Sequence, residues 1–150
     1  MPYQVGVFME GVDWYASLET MLNRILPEIA REEGRNINFV NIILLSDEGL
    51  QNYNLKYLQH SEYTDVITFD LSTSSTELEG EIYISADRVR ENARAFEETQ
   101  EVEMIRVIIH GLLHLIGYKD KSEEERKLMR QKEDFYLDKH GFTWNSGNER

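Results

Sequence analysis

The hydrophobic positions of this chain follow two periods, which predict strands and helices that alternate along the sequence. Short β-branched or apolar runs predict strands at residues 3–8, 38–45, 66–69 and 81–85. Segments with apolar residues three and four positions apart predict helices between and after these strands. This order is typical of an α+β fold, with an α/β-type mixed sheet of about four strands covered by helices.

Local signals place the ends of the first two predicted helices. One helical pattern begins at Asp13, and we expect Pro27 to kink this helix or to end it late. A second helix follows Ser46 or Asp47, which both suit an N-cap, and runs to about Tyr57.

Three more helices are predicted in the second half of the chain. The first spans residues 86–98, and the second starts after Thr99 and carries two histidines. Ser122 and Glu125 have the spacing of a capping box, which opens a final amphipathic helix. The apolar positions assigned to this last helix are Leu128, Phe135 and Leu137.

The size and composition of the chain fit one domain that spans residues 1–150. The chain has 150 residues, of which 41% are hydrophobic, and can therefore form an adequate core. It contains no cysteine, which excludes disulfides and thiolate metal sites. Neither a leader peptide nor a membrane span is recognisable, so we expect a cytoplasmic protein without a membrane partner.

The chain is strongly acidic, with 28 acidic and 16 basic residues and a formal net charge of −12. Because phosphate neutralisation dominates affinity for nucleic acids, this charge disfavours a general nucleic-acid-binding protein. An RNA-binding role requires a local basic surface, unless the arginines are ordinary solvated helix faces. The candidate contributors are Arg24, Arg31, Arg35, Arg88, Arg90, Arg94 and Arg106.

Two histidines interrupt the most apolar stretch of the chain, residues 104–116. His110 and His114 are four positions apart on a predicted helix, so both imidazoles can face one ion. Gly117 can end that helix in a left-handed conformation, after which Asp120 can turn back toward the histidines. Two imidazoles and one carboxylate suit Zn²⁺ and leave a position for water, which is typical of catalytic sites.

The competing interpretation of these histidines is a pair of hydrogen-bonded core residues. An unpaired imidazole in an apolar run carries a desolvation cost, and two of the four histidines of the chain occur here. This concentration favours metal binding. The ligand types also suit Ni²⁺, Co²⁺, Mn²⁺ or Fe²⁺, so we expect one divalent metal ion, most simply Zn²⁺.

The spacing His-x-x-x-His-x-x-Gly-x-x-Asp is that of the metzincin peptidases, with aspartate as the third ligand. Those peptidases use a glutamate directly after the first histidine as the general base. In this chain that position is Gly111, which has no side chain. The spacing therefore predicts a zincin-like metal-site helix without the base needed for proteolysis.

Residues 110–118 read His-Gly-Leu-Leu-His-Leu-Ile-Gly-Tyr, and three upstream segments add to this motif. Residues 54–57 contain Asn-x-x-Tyr, residues 64–69 read Thr-Asp-Val-Ile-Thr-Phe, and residues 80–85 read Gly-Glu-Ile-Tyr-Ile-Ser. In order and spacing they resemble the YbeY family, whose histidine motif is His-Gly-x-Leu-His-Leu-x-Gly-Tyr-Asp-His. The likeness covers about residues 41–137.

The resemblance implies a single-domain metal-dependent hydrolase that acts as a single-strand-specific endoribonuclease. In this family such enzymes are regarded as acting in ribosomal RNA maturation, so ribosomal RNA and the small ribosomal subunit are the implied partners. The glycine at position 111 then needs no special explanation, because the family also has glycine there. One divalent metal ion is the implied cofactor.

Three positions depart from the family pattern. Asp120 stands where the third ligand is usually histidine, and Lys119 stands where the family has aspartate. Leu58 occupies a position at which the family commonly has an arginine near the site. A hydrophobic side chain cannot replace the bidentate phosphate contact of arginine, so Lys56 and His60 are the candidate substrate-binding substitutes.

In the enzymatic interpretation, the ion lowers the pKa of its bound water from about 15.7 toward 7 beside a phosphodiester. Asp65 is a candidate to orient a ligand imidazole or to accept a proton, although a turn carboxylate is an equally good interpretation. Two alternatives stay open. One is a non-catalytic ribosome-assembly factor whose structural metal has His60 or Glu81 as fourth ligand, and the other is a hydrolase of another substrate.

Overall fold

A four-stranded mixed sheet lies at the centre of the protein. The computed structural model describes residues 4–58, apart from the side chain of Leu58, and residues 64–144. The strand order is β1-β2-β4-β3, with β1, β2 and β4 parallel and β3 antiparallel to β4. The strands are β1 (Val5–Glu10), β2 (Asn36–Leu45), β3 (Val66–Asp70) and β4 (Glu77–Ser85). The α+β prediction, with a mixed sheet of about four strands, is confirmed.

Five α-helices surround this sheet within the described ranges. They are α1 (Leu18–Glu32), α2 (Asp47–Tyr53), α3 (Ala86–Ala95), α4 (Gln100–Ile116) and α5 (Glu123–Lys139). A π-helical turn, Asn54–Leu58, directly follows α2. None of these helices combines the length and the apolar composition required to cross a membrane.

Side-chain caps start four of the helices, as the sequence signals indicate. Ser46, Ser85, Thr99 and Ser122 each accept a hydrogen bond from the backbone N–H three residues later. At Ser122 the Glu125 side chain also accepts from the N-cap backbone, so the predicted capping box is present. Each cap satisfies a backbone donor that the first helical turn leaves unpaired.

The two faces of the sheet are covered unequally. On one face, the alternate residues Val40, Ile42 and Leu44 of β2 pack in a large core with α1 and α4. On the other face, Ile43 and Leu45 belong to a smaller cluster with residues of α2 and β3. Helices α3 and α5 pack against α4 rather than directly on the smaller cluster. Helix α4 is therefore enclosed by the sheet and by two further helices.

Two details of the predicted helices are wrong. The first helix begins at Leu18 rather than Asp13. Pro27 lies inside this helix and does not end it, so of the two effects expected of the proline only a kink stays a prediction. The helix continues past the proline because Ile29 and Ala30 extend its buried face. In α5, Leu128 is exposed, so the apolar face predicted for this helix is wrong at that position.

Of the three apolar positions predicted for α5, only Leu137 belongs to its buried face. Met129, Tyr136 and Leu137 are buried, whereas Leu128 and Phe135 are 44% and 52% exposed. Burial of Tyr136 rather than Phe135 places the phenol where it can donate to a carboxylate of α1. This rotation of α5 also turns Glu133 toward the interior.

Helix α4 packs closely on the sheet at Gly111. A Cβ atom added to Gly111 would lie 2.8 Å from Cγ2 of Ile82 in β4. No real side chain fits at that distance without a shift of the helix or the strand. Because residue 111 has no side chain, α4 can pack directly on the sheet next to the candidate ligands.

We expect Gly111→Ala to destabilise the protein by about 1 kcal/mol, although alanine favours helices by about 1 kcal/mol. The clash with Ile82 outweighs the gain in helix propensity. In an Ile82→Ala background the clash is removed, so the same substitution should become stabilising. Urea unfolding with a chelator present measures both effects, and equal effects in the two backgrounds would contradict this packing account.

Candidate metal centre

His110 and His114 lie on successive turns of α4 and face the same side of the helix. The Nε2 atoms of the two rings are 3.0 Å apart. Their side chains are 24% and 23% exposed, so solvent reaches both rings. Residues four apart are neighbours on a helix surface, which is why the rings converge without distortion of the backbone.

A glycine turn brings a carboxylate to these rings. Gly117 follows α4 with a φ of +126°, a conformation that favours glycine. Its N–H and that of the next residue donate to carbonyls of the last helical turn, which reverses the chain. Oδ2 of Asp120 then lies 3.1 Å from Nε2 of His114 and 3.3 Å from Nε2 of His110.

The three atoms form a triangle of the size that a divalent ion requires. At metal–ligand distances of about 2.0–2.2 Å, neighbouring ligands are about 3.3–3.6 Å apart in a tetrahedron and about 2.8–3.1 Å apart in an octahedron. The observed separations of 3.0, 3.1 and 3.3 Å fall across these ranges. In the part of the chain that the structure describes, His110, His114 and Asp120 are the group of potential ligands close enough for one ion.

Hydrogen bonds at Nδ1 direct the Nε2 atoms of both histidines toward Asp120. Nδ1 of His110 lies 2.7 Å from Oε2 of Glu133, and Nδ1 of His114 lies 3.0 Å from the carbonyl oxygen of Tyr118. Because an ionised carboxylate and a carbonyl oxygen only accept hydrogen bonds, Nδ1 carries the proton in both rings. Each Nε2 lone pair is therefore available to a metal ion.

Glu133 is the buried link between His110 and a charged pair. Its Oε1 accepts a hydrogen bond of 3.0 Å from Arg106, which also contacts Asp134 at 2.9 Å. Burial alone would raise the pKa of Glu133, but the bonds from His110 and Arg106 hold that pKa below its ordinary value. The carboxylate is thus ionised, and it accepts the hydrogen bond that the Nδ1–H group of His110 donates.

The pKa of His110 is shifted in the opposite direction. Burial acts to lower the pKa of this imidazole, but the hydrogen bond and charge of Glu133 outweigh it and raise the pKa above its ordinary value. The negative charges of Asp120 and Asp65 add to this effect. The site therefore attracts positive charge, whether that charge is a proton or a metal ion.

Sequence reasoning missed Glu133, although a signal for it existed. Glu133 is four residues after Met129 and four before Leu137, on the face of α5 that is buried. An acidic residue within an apolar helix face requires a buried partner. The sequence pattern placed Leu128 and Phe135 on the apolar face of α5, but these residues lie on its exposed side. For this reason Glu133 was not recognised as a buried residue.

Asp65 and Lys56, two other predicted site residues, line different pockets. Asp65 precedes β3 and lines the same cleft as His110, but no hydrogen bond between its carboxylate and a ligand ring is seen. Lys56 is exposed, with Nζ 5.4 Å from the centre of the Tyr57 ring, and lines a second pocket beside Glu10. His60 lies outside the described residues. The roles suggested for these three residues stay predictions.

A cleft of about 310 Å³ opens beside the three candidate ligands. We call the residues of α4 that line it the floor, and those of α5 and of the end of α3 its walls. His110 and Asp120 lie at one end of it. A substrate held in this cleft would have its reacting group next to the candidate metal position.

A second network supports the turn that carries Asp120. Glu33, at the end of α1, accepts hydrogen bonds from the hydroxyls of Tyr118 and Tyr136 and contacts Nζ of Lys132 at 3.0 Å. The bond from Tyr118 is 2.6 Å long. Because the carbonyl of Tyr118 accepts from His114, this network also restrains the second histidine.

Comparison with known proteins gives consistent results. A family model described as Endoribonuclease YbeY matches residues 10–141. A protein of Cytophaga hutchinsonii named Endoribonuclease YbeY is 46% identical over 130 residues, which cover 87% of this chain and 91% of that protein. The protein of the same name from Christiangramia forsetii is 40% identical over 131 residues, covering 87% and 90%.

A solved structure has the same fold. The solution structure of TM1509 from Thermotoga maritima superposes with a TM-score of 0.58 and 29% sequence identity. The match covers 97% of this chain and 99% of that one. The arrangement of helices and strands is thus shared along nearly the whole sequence.

We expect Glu133→Gln to weaken binding of a divalent ion by about 10-fold or more, since partners of ligating histidines contribute about 10–100-fold to metal affinity. The amide keeps the shape of the side chain but is a weaker acceptor for the Nδ1–H of His110. Competition with a chromophoric chelator measures the affinity. Glu124→Gln, an exposed change on the same helix, should leave it unchanged, and equal affinities of the two variants would argue against this orientation of His110.

We expect the stabilising effect of Glu33 to be lost in acid. Burial alone would raise the pKa of Glu33, but the bonds from Tyr118, Tyr136 and Lys132 lower the pKa below its ordinary value of 4.5. A depressed folded-state pKa means that this contribution is complete above the unfolded pKa and disappears as pH falls through the folded value.

The test compares the free energy of unfolding of wild type and Glu33→Gln in urea at several pH values. The variant should be less stable at pH 7, and the difference should shrink below about pH 4. Glu91→Gln, an exposed substitution in α3, provides the control for charge alone. A difference that stays constant down to pH 3 would contradict the ionised state of Glu33.

Proposed function

Because the chain belongs to the YbeY endoribonuclease family, we propose that it is a metal-dependent endoribonuclease that cleaves single-stranded RNA during ribosomal RNA processing. One observation carries the proposal: three metal-ligand atoms converge beside a cleft and are partly exposed to solvent. An open position beside three protein ligands is typical of catalytic rather than structural ions.

His110, His114 and Asp120 hold the divalent ion in this proposal. The ion supplies a Lewis acid that activates water and neutralises charge on a phosphodiester. Glu133 and the carbonyl of Tyr118 keep the proton of each imidazole on Nδ1, which fixes the rings before any ligand binds. Asp65, on the wall of the same cleft, is the candidate to accept a proton from water.

We propose Zn²⁺ as the ion, with Ni²⁺ or another transition metal as the alternative. Two imidazole nitrogens and one carboxylate oxygen suit zinc, and a zinc site with three protein ligands is the usual catalytic form. The carboxylate in place of a third imidazole makes the site more anionic and favours harder ions than a three-histidine site would. The ligand separations fit both tetrahedral and octahedral coordination and therefore do not distinguish between metals. A titration that compares the affinities of the site for different metal ions identifies the ion.

The substrate is RNA, and we propose ribosomal RNA within the small ribosomal subunit as its source, in the cytoplasm. The names of the relatives support an RNA substrate. A net charge of −12 opposes indiscriminate binding to phosphates, which fits an enzyme that acts at selected positions. In this proposal the whole chain acts as a single hydrolase domain, and Lys56 and His60 stay candidates for RNA contact.

The two alternatives are disfavoured by particular residues. Glu81 is one of the two predicted candidates for a fourth ligand. It lies on the sheet face opposite to Gly111, and its Oε1 accepts a hydrogen bond from the hydroxyl group of Tyr83. Among the described residues no fourth ligand joins the three, whereas a structural site would normally have one. His60, the other candidate for a fourth ligand, lies outside these residues. A peptidase base at position 111 is excluded by space, because even a Cβ atom would lie 2.8 Å from Ile82.

The test uses protein stripped of metal and reloaded separately with Zn²⁺, Ni²⁺ or Mn²⁺. Each form is incubated with a single-stranded ribosomal RNA fragment, the same fragment in a duplex, and intact small subunits. We expect the single strand to be cleaved and His110→Ala and His114→Ala to be slower by about 10³-fold, since a bound ion supplies several kcal/mol of transition-state stabilisation.

His140→Ala is the matched control, because it removes a histidine at the end of α5, away from the candidate ligands. Metal content is measured in every sample, and it should fall only in the two ligand variants. Cleavage that persists equally in all variants would come from a contaminating nuclease. Metal binding without any cleavage by the wild type would favour the non-catalytic assembly factor.

A further inference from the structure

The cleft extends away from the candidate ligands along one face of α4. Its floor contains Glu103, Val107 and His110, spaced by three or four residues. At a rise of about 1.5 Å per residue, this row is about 10 Å long. A cleft of about 310 Å³ is at the lower end of the range for small-ligand sites and suits one unstacked nucleotide better than a duplex.

Acidic groups dominate the inner part of the cleft. Four carboxylates line it, those of Asp65, Glu103, Asp120 and Glu133. Arg106 also lines it, but its side chain is only 5% exposed, and its guanidinium pairs with Glu133 and Asp134. Its charge is therefore compensated inside the protein, and an RNA phosphate in the cleft requires another cation.

Two further arginines line the wall formed by α5. Arg126 and Arg130 are four residues apart, so they occupy the same side of the helix and both border the cleft. Arg126 is exposed, and its NH1 group donates to the carbonyl of Lys121 at 2.7 Å. A guanidinium has five N–H donors, so this bond leaves the larger part of the fork available to a phosphate.

The wall formed by the end of α3 has a different chemistry. Asn92 and Phe96 border the cleft with an amide and an aromatic ring, and both are half-buried. Proteins bind unstacked RNA bases by placing them against aromatic rings and hydrogen-bonding their edges. The cleft thus combines cations from α5 with groups from the end of α3 that suit a base.

Building on the proposed function, we infer that Arg126 and Arg130 bind the RNA phosphate adjacent to the scissile one. The nucleotide that carries this phosphate lies along α4, with its base toward Phe96 and Asn92. Two charged forks on one wall fix the direction of the strand relative to the candidate metal position. Since this nucleotide must leave its stack to enter, the contact also selects single-stranded substrates.

The test uses metal-loaded protein and a fluorescent single-stranded RNA whose cleavage point has been mapped. Each of Arg126→Ala and Arg130→Ala should raise KM by about 10-fold, because each removes hydrogen bonds to a charged group, and leave kcat nearly unchanged. The slope of log(kcat/KM) against log salt should become shallower by about 0.7 for each arginine removed.

Lys127→Ala is the matched control, because it removes one positive charge from the exposed surface of the same helix. This variant should change KM by less than about 2-fold. Arg130→Lys keeps the charge but loses the planar fork, so its KM should lie between those of wild type and Arg130→Ala. Equal metal content in all variants excludes an indirect effect on the ligands.

A modified substrate tests the contact directly. A neutral methylphosphonate replaces the phosphate one position to either side of the mapped cleavage point. At one of these positions it should raise KM for the wild type by about as much as Arg126→Ala/Arg130→Ala does, and should have no further effect in that double variant. Additive effects at both positions would overturn the contact.

The outcomes separate this inference from the proposed function. If the double variant matches Lys127→Ala in KM and salt slope while the wild type cleaves RNA, the inference is wrong and the enzyme activity stands. If the wild type cleaves no RNA with any metal, the proposed function is wrong. Fluorescence anisotropy with the same RNA then decides the arginine contact, and equal affinities of wild type and double variant would overturn it.

Discussion

The hydrogen bond between Nδ1 of His110 and Glu133 is the interaction on which the candidate centre depends. It joins a helix that carries two histidines to a second helix that carries a buried carboxylate, across a distance of 2.7 Å. Together with the Tyr118 carbonyl at His114, it places the free lone pairs of both rings beside Asp120. Without these acceptors the imidazoles could rotate, and ligand atoms on one helix face would no longer define a site.

Keeping that carboxylate buried imposes a further constraint. An isolated ionised carboxylate in a protein interior is very unfavourable, so Glu133 is accompanied by Arg106, which is in turn paired with Asp134. The arginine nearest to the centre is therefore committed to structure rather than to substrate. Arg106 therefore lines the cleft of this acidic protein without adding an uncompensated positive charge to it.

Close packing sets the position of the centre relative to the sheet. Gly111 allows α4 to approach Ile82, and the same absence of a side chain removes the position at which a peptidase would carry its base. The absence of a side chain at position 111 thus accounts both for the close packing of α4 on the sheet and for the missing peptidase base. The cleft beside it is formed because α3 and α5 pack on α4 and leave its histidine face partly open.

Local information in the sequence determined the elements and the three candidate ligands. A helix cap joins residues three apart, neighbours on one helix face are four apart, and the turn after α4 brings together residues six apart. The roles of Ser122, His110, His114 and Asp120 could therefore be predicted from the sequence alone. Only the tertiary structure decided which face of α5 is buried, and with it the contact of Glu133 with His110 and the position of Arg126 and Arg130 beside the cleft. Residues 110 and 133 meet because two helices pack in one rotation, and that rotation depends on the whole core rather than on a local pattern.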